Sequence, residues 1–181
     1  MWHAPRSLRS LRSKRLEGSA DEALRAHVAR SVRSLPSKRL EGITTGRHCP
    51  TCGSATHGRP WVRLADGTSP HVSLSRCGEH VVTVIADHPV GIDVESIDAV
   101  TSRWDPALVL HPSESADAPA QQAAMWCRKE AILKALGTGL STPMSEIRVA
   151  DWQVEDISAP DGLAAAVVVI AQPGRGGSST S

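Results

Sequence analysis

Two β-branched runs, residues 81–85 and 90–94, flank Ala86-Asp-His-Pro89, and a strongly helix-forming run, 120–136, follows them. Branched Cβ atoms pack well on a pleated surface, whereas Ala, Gln, Met, Lys and Leu lose little rotamer freedom in a helix. The pattern therefore predicts an α+β chain. The turn-like 86–89 link predicts a hairpin of the two runs, and Gly137 supplies a left-handed stop for the helix. Leu24, Val28, Val32 and Leu35 recur at helical spacing and predict an amphipathic helix over 21–35, with Asp21 and Glu22 in its first turn and Pro36 ending it. Further strands are predicted at 72–75, 146–149, 152–154 and 163–171. Residues 44–60, rich in Gly, Thr, Cys and Pro, and the stretch carrying Pro106, Pro112 and Pro119 read as loops.

Charge narrows the function classes. Lys and Arg number 20 against 19 Asp and Glu, so the basic excess of a general nucleic-acid binder is missing. The arginines crowd toward the amino terminus, as Arg6, Arg9, Arg12, Arg15, Arg25, Arg30, Arg33 and Arg39. Residues 1–16 have the Arg, Ser and Leu content of a transit peptide but lack the apolar core of a secretory signal, and they read as a solvated basic tail. No apolar run is long enough to span a bilayer, so no membrane is expected. Four scattered cysteines do not make a disulfide scaffold, and a cytoplasmic location is expected. Phe and Tyr are absent, which leaves five Trp as the aromatic packing units, with Trp61, Trp104 and Trp152 expected in the core or a cleft wall. Ser10-Leu-Arg-Ser-Lys-Arg-Leu-Glu-Gly18 recurs as Ser34-Leu-Pro-Ser-Lys-Arg-Leu-Glu-Gly42, which a local duplication or an early start site explains. The expected organisation is a flexible basic tail (1–18), an amino-terminal subdomain (19–90), a carboxy-terminal subdomain (91–172) and a disordered tail (173–181).

Two segments carry chemistry. In Gly91-Ile-Asp-Val-Glu95, strand alternation puts Asp93 and Glu95 on one face and Ile92 and Val94 on the other. Paired carboxylates repel unless a cation or shared proton offsets them, and an oxygen-only pair suits magnesium. Alone, this pair reads first as one solvated face of a strand. In Trp126-Cys-Arg-Lys-Glu130-Ala-Ile-Leu-Lys134, helical spacing aligns Trp126, Glu130 and Lys134. Alone, Glu130 and Lys134 fit a surface ion pair; alternatively, Lys129 and Lys134 hold phosphate oxygens while Glu130 joins a metal.

In this order, Gly-Ile-Asp-Val-Glu followed by Trp-x-x-Lys-Glu-Ala-x-x-Lys closely resembles the paired signature of the 4′-phosphopantetheinyl transferases, of the larger Sfp-type class within the holo-acyl-carrier-protein synthase superfamily. The resemblance implies two similar α+β halves in a pseudo-dimer within a monomer, the first half shortened here. It implies coenzyme A in the cleft between them, and an apo acyl or peptidyl carrier protein as partner. By the same resemblance Asp93, Glu95 and Glu130 hold Mg2+, Glu130 is the base for the attacking carrier serine, and Lys134 contacts phosphate with help from Lys129. His57-Gly-Arg59-Pro60 resembles the family's Gly-Lys/Arg-Pro element and assigns Arg59 to coenzyme A. Ser73-Leu-Ser75-Arg76 stands where the family has Asn-Ile-Ser-His, which assigns Ser75 and Arg76 to the nucleotide, with an arginine in place of the histidine. Glu114 in His-Pro-Ser-Glu is a minor candidate, and Asp21 stands where a basic residue for the 3′-phosphate is expected. Secondary-metabolite carriers are the expected clients.

Two other classes fit parts of the chain. A catalytically impaired paralogue that binds carrier protein or coenzyme A fits the divergent amino terminus. A zinc-binding module that interacts with nucleic acid fits Cys49-Pro-Thr-Cys52-Gly, flanked by His48 and His57, together with the basic tail. Because a single Cys-x-x-Cys lacks a second pair, a knuckle turn without metal is the preferred reading of that segment.

Overall fold

The computed structural model describes residues 8–15, 18–32 and 42–170. In chain order the elements are β1 (Leu8–Arg15), α1 (Ala20–Val32), β2 (Thr44–His48), β3 (Arg59–Arg63), β4 (His71–Cys77), β5 (His80–Ala86), β6 (Val90–Ser96), α2 (Ile97–Thr101), α3 (Pro106–Val109), α4 (Pro119–Leu136), β7 (Val154–Asp156) and β8 (Leu163–Val169). Short 3-10 turns at Met144–Glu146 and Val149–Asp151 occupy the segment read as a strand at 146–149. The helix stop at Pro36, the second copy of the Ser34 repeat up to residue 41 and the carboxy-terminal tail lie outside the described residues.

The α+β class is as expected, but the pairing is not. β1, β5 and β4 form one antiparallel sheet, and β6, β8 and β7 another; β2 and β3 pair with each other. The runs at 81–85 and 90–94 thus belong to different sheets, and the 86–89 link carries the chain between them instead of closing a hairpin. The hairpin is β4–β5, joined at Gly78, whose φ of 55° suits a tight turn. Leu8–Arg15, expected to be part of a flexible tail, is a strand because the outer edge of β5 would otherwise be unpaired; Leu11 packs under the sheet. The predicted loop 44–60 contains β2 and the start of β3.

α1 opens with a reciprocal cap: Ser19 Oγ accepts from Glu22 N–H (3.1 Å), and Glu22 Oε2 accepts from Ser19 N–H (2.7 Å). Leu24 and Val28 seal one apolar cluster with Ile43, Val62, Leu64, Val72 and Ile85. Val82 and Val84 of β5, Val90, Ile92 and Val94 of β6, and Ala165 and Val167 of β8 form a second, between the two sheets. α4 covers the opposite face of the β6–β8 sheet through Ala131, Ile132 and Leu133. It ends at Gly137, where φ is 77°, as the sequence predicts. Trp104, Trp126 and Trp152 pack around this third cluster, whereas Trp61 is 42 % exposed.

Gly91 determines how closely α4 approaches β6. A Cβ there would fall 1.8 Å from Ala131 O and 2.7 Å from Ala135 N, so only glycine lets the helix backbone lie directly on the strand. That contact sets Glu130 and Lys134 over the strand face that carries Asp93.

Candidate active site

The site lies where the edges of the two sheets meet. β4 and β6 are edge strands, and side chains bridge them. Ile92 N–H donates to Ser73 Oγ (3.2 Å), Lys134 Nζ donates to Ile92 O (3.1 Å), and Ser75 Oγ donates to Asp93 Oδ1 (2.8 Å). Lys134 Nζ also reaches Ser75 Oγ at 3.1 Å and Asp93 Oδ1 at 2.5 Å. Asp93 is 2 % exposed and Ser75 is 6 % exposed. Both side chains belong to the interior framework of the site.

Asp93 Oδ1 is fully engaged, but Oδ2 is buried with no hydrogen-bond partner among the described residues. An orphan carboxylate oxygen is costly to keep away from water unless something outside the protein takes it. Burial and the neighbouring Asp93 charge raise the Glu95 carboxyl above the ordinary carboxylate range, Glu130 adding to the effect while Lys134 and Arg103 oppose it. Glu130 is raised by burial and then by Asp93, again opposed by Lys134. One ammonium thus serves a cluster of three acids. An oxygen-only, cation-deficient set of this kind fits a hard divalent cation such as magnesium better than a soft metal. Asp93, Glu95 and Glu130 are the residues that would hold it.

The cluster opens on a cleft. One cavity of about 380 Å³ is walled by Glu130, Lys134, Arg59, Arg47 and Ser73, and a neighbouring one of about 650 Å³ shares Arg59, Pro60, Val72 and Gly137 with it. Arg59 lies over the end of α4, its Nη2 donating to Ala135 O at 3.4 Å, and a Cβ on Gly137 would meet its Nη1 at 2.6 Å. The guanidinium therefore caps the helix terminus and lines both cavities.

Arg76, assigned from sequence to the nucleotide, is exposed, and its side chain makes no hydrogen bond to the other described residues; strand alternation turns it to the face of β4 opposite Ser75. Lys129, read as a phosphate ligand, is placed elsewhere. It is 0 % exposed, and its Nζ donates to Glu114 Oε2 (2.6 Å), Met144 O (3.0 Å) and Ile147 O (2.7 Å). Three acceptors exhaust its hydrogens, so it has none to offer a phosphate. One residue along a helix turns a side chain by about 100°, which puts Lys129 into the core when Glu130 faces the cleft.

Glu114 is the other half of that lock and not part of the cleft. Burial disfavours its charge, but Lys129 and the N–H groups of Val149 and His111 outweigh burial and hold its carboxyl below the usual range. Arg47 was not singled out from sequence. It joins Asp21, Nε to Oδ1 at 2.9 Å and Nη2 to Oδ1 at 2.8 Å, and its Nη1 donates to Gly58 O at 3.3 Å. Asp21 is thus engaged by an arginine that walls the cleft. No local pattern signalled this pair, because its members are 26 residues apart.

The edge-bridged acid cluster beside a basic cleft falls in a segment with known counterparts. Residues 89–166 match the model of the 4′-phosphopantetheinyl transferase superfamily (ACPS). Among curated proteins the chain is similar to "4′-phosphopantetheinyl transferase psf-1" of Bacillus pumilus, 34 % identical over 121 residues, covering 62 % of this chain and 51 % of that protein. It is also similar to a "4′-phosphopantetheinyl transferase" of Bacillus subtilis, 27 % identical over 122 residues, covering 61 % of this chain and 52 % of that one. The chain spans about half the length of these curated relatives. No helix among the described residues is long and apolar enough to cross a membrane.

Proposed function

We propose that this protein is a magnesium-dependent 4′-phosphopantetheinyl transferase, moving the phosphopantetheine arm of coenzyme A to a serine of an apo carrier protein. The observation that carries the reading is the buried, unpartnered Oδ2 of Asp93, flanked by Glu95 and Glu130 inside the superfamily segment.

The residues have separable tasks in this reading. Lys134 and Ser75 fix Asp93 by Oδ1 and leave Oδ2 for the cation. When bound, magnesium would offset the repulsion of the three acids and stabilise charge developing on the departing nucleotide phosphate. Glu130 walls the cavity and has a raised carboxyl pKa, which makes it the better base for the serine hydroxyl proton. Arg59 and Arg47 attract the anionic nucleotide into the cleft. The serine oxygen forms a new bond to the phosphorus of the phosphopantetheine arm, the bond to the nucleotide phosphate breaks, and adenosine 3′,5′-bisphosphate leaves.

The test is mass spectrometry of an apo carrier protein incubated with the chain, coenzyme A and Mg2+. The expected result is one phosphopantetheine-sized gain on the carrier, which disappears with Asp93→Ala. With Glu130→Gln the rate should fall by roughly 10²–10⁴-fold. No gain with fatty-acid, polyketide or peptide-synthetase carriers, from folded protein with Mg2+ present, would overturn the proposal.

A further inference from the structure

Outside the acid cluster, the loop joining β2 to β3 assembles a second ligand set of different chemistry. Among the described residues, Cys49, Cys52 and His57 form a group whose two sulfurs and ring nitrogen all lie within 4.8 Å of one another. Cys52 Sγ and His57 Nε2 are 3.3 Å apart. Tetrahedral zinc, with bonds of about 2.3 Å to sulfur and about 2.0 Å to nitrogen, requires its ligand atoms to stand roughly 3.4–3.8 Å from one another. The loop already holds the three donors close to that spacing.

The backbone explains why. Cys49 N–H donates to Ser54 O (2.9 Å) and Gly53 N–H donates to Cys49 O (2.8 Å), which closes the turn around Cys49-Pro-Thr-Cys52-Gly53. Gly53 permits this with φ of 72°. The N–H groups of Cys52 and Thr51 point at the Cys49 sulfur, which turns it inward toward Cys52 and His57. At the far end Gly58 has φ of 94°, and a Cβ there would stand 2.4 Å from His48 O and 2.6 Å from Cys49 Cα. Only glycine lets the returning chain lie against Cys49, and that closure brings His57 to the two sulfurs. From sequence, the single cysteine pair favoured a turn without metal; the fold adds the third donor.

We propose that Cys49, Cys52 and His57 bind one zinc ion, with a fourth position open to solvent, and that this metal braces the loop from which Arg59 reaches the cleft. Two thiolates and an imidazole form a soft donor set that discriminates against magnesium, so the two sites are chemically distinct. The zinc assignment stands on the loop alone; its consequence for Arg59 rests on the coenzyme A reading above.

The experiment strips the full chain with chelator under reducing conditions and titrates it with Zn2+, then with Co2+. The expected result is one equivalent of zinc by elemental analysis and, for cobalt, a thiolate charge-transfer band with intense tetrahedral d–d absorption. Cys52→Ser and His57→Ala should each raise the zinc Kd by more than about 100-fold, beyond the loss expected for a merely supporting partner. Asp93→Asn should retain the full equivalent. Binding of coenzyme A, read by calorimetry, should weaken in the stripped protein and recover with zinc. The assignment is overturned if the wild-type chain takes up no zinc, if Cys52→Ser folds and binds it equally well, or if cobalt gives an octahedral, sulfur-free spectrum. Zinc binding at one equivalent with unchanged coenzyme A affinity would keep the metal site and overturn its coupling to Arg59. A failed carrier assay would leave the zinc result standing.

Discussion

Lys134 Nζ stands 2.5 Å from Asp93 Oδ1, while Oδ2 of the same carboxylate is buried with no hydrogen-bond partner among the described residues. The lysine therefore orients the acid and satisfies half of it, and the other half is what the proposed cation would take. Lys134→Met should leave Asp93 buried without its ammonium. We expect a loss of about 2 kcal/mol in magnesium-free urea unfolding, less than for a fully buried pair because Lys134 is 30 % exposed. Saturating Mg2+ should restore part of the loss. A variant as stable as wild type without the metal would contradict this orienting role.

Glu95 and Glu130 yield a pH prediction. Burial, with Asp93 beside them, raises both carboxyls in the folded chain. An acid whose folded pKa is raised binds its proton more tightly when folded. Its contribution to stability therefore declines as pH rises from the ordinary carboxylate range through the raised value. A bound cation removes that penalty. The rise in Tm on adding Mg2+ should therefore be larger at about pH 7.5 than at about pH 4.5, and an Asp93→Asn control would show whether it arises at the acid cluster.

Gly91→Ala places a methyl on the backbone of α4, 1.8 Å from Ala131 O. Since helix backbone cannot yield as a side-chain tip can, the helix must shift. A loss of about 3 kcal/mol is expected by chemical unfolding. In whatever folded fraction remains, transfer should fall more than coenzyme A binding, because Glu130 and Lys134 move off Asp93.

Lys129 and Glu114 form a buried lock across α4 and the 3-10 segment at Met144–Glu146. Lys129→Met should cost roughly 3–5 kcal/mol, as one partner of a buried pair is left unpaired. The KM for coenzyme A in the folded enzyme should change little. A raised KM at unchanged stability would return Lys129 to the phosphate role that its motif position suggested.

His27 is buried, its Nδ1 2.8 Å from Thr83 Oγ1 and its Nε2 2.8 Å from Ser10 Oγ, so it ties α1 to β5 and β1. Burial, aided by Arg12 and Arg30, lowers its pKa from 6.5 to about 4. The unfolded chain takes up this proton first. Stability should therefore fall as pH drops from about 6.5 toward about 4 and level off below, by up to about 3 kcal/mol. In His27→Gln that part of the pH dependence should vanish.

Local chemistry determined a good deal of this protein. β-branching fixed the strands at 81–85 and 90–94, rotamer freedom and Gly137 fixed α4, and alternation put Asp93 and Glu95 on one face. These features depend on residues within a turn or two of each other, so a linear reading reaches them. Tertiary structure decided the rest. Whether 81–85 pairs with 90–94 depends on which edges remain free, and β1 and β4 took both edges of β5. Whether a motif lysine faces phosphate or core depends on where the helix is pressed, and Gly91 pressed α4 so that Lys134 reached Asp93 while Lys129 was buried with Glu114. Arg47 with Asp21, 26 residues apart, and Ser75 with Asp93, 18 residues apart, came together through packing. Distance along the chain carries no information about those contacts, because folding brings such residues together only once the sheets have formed.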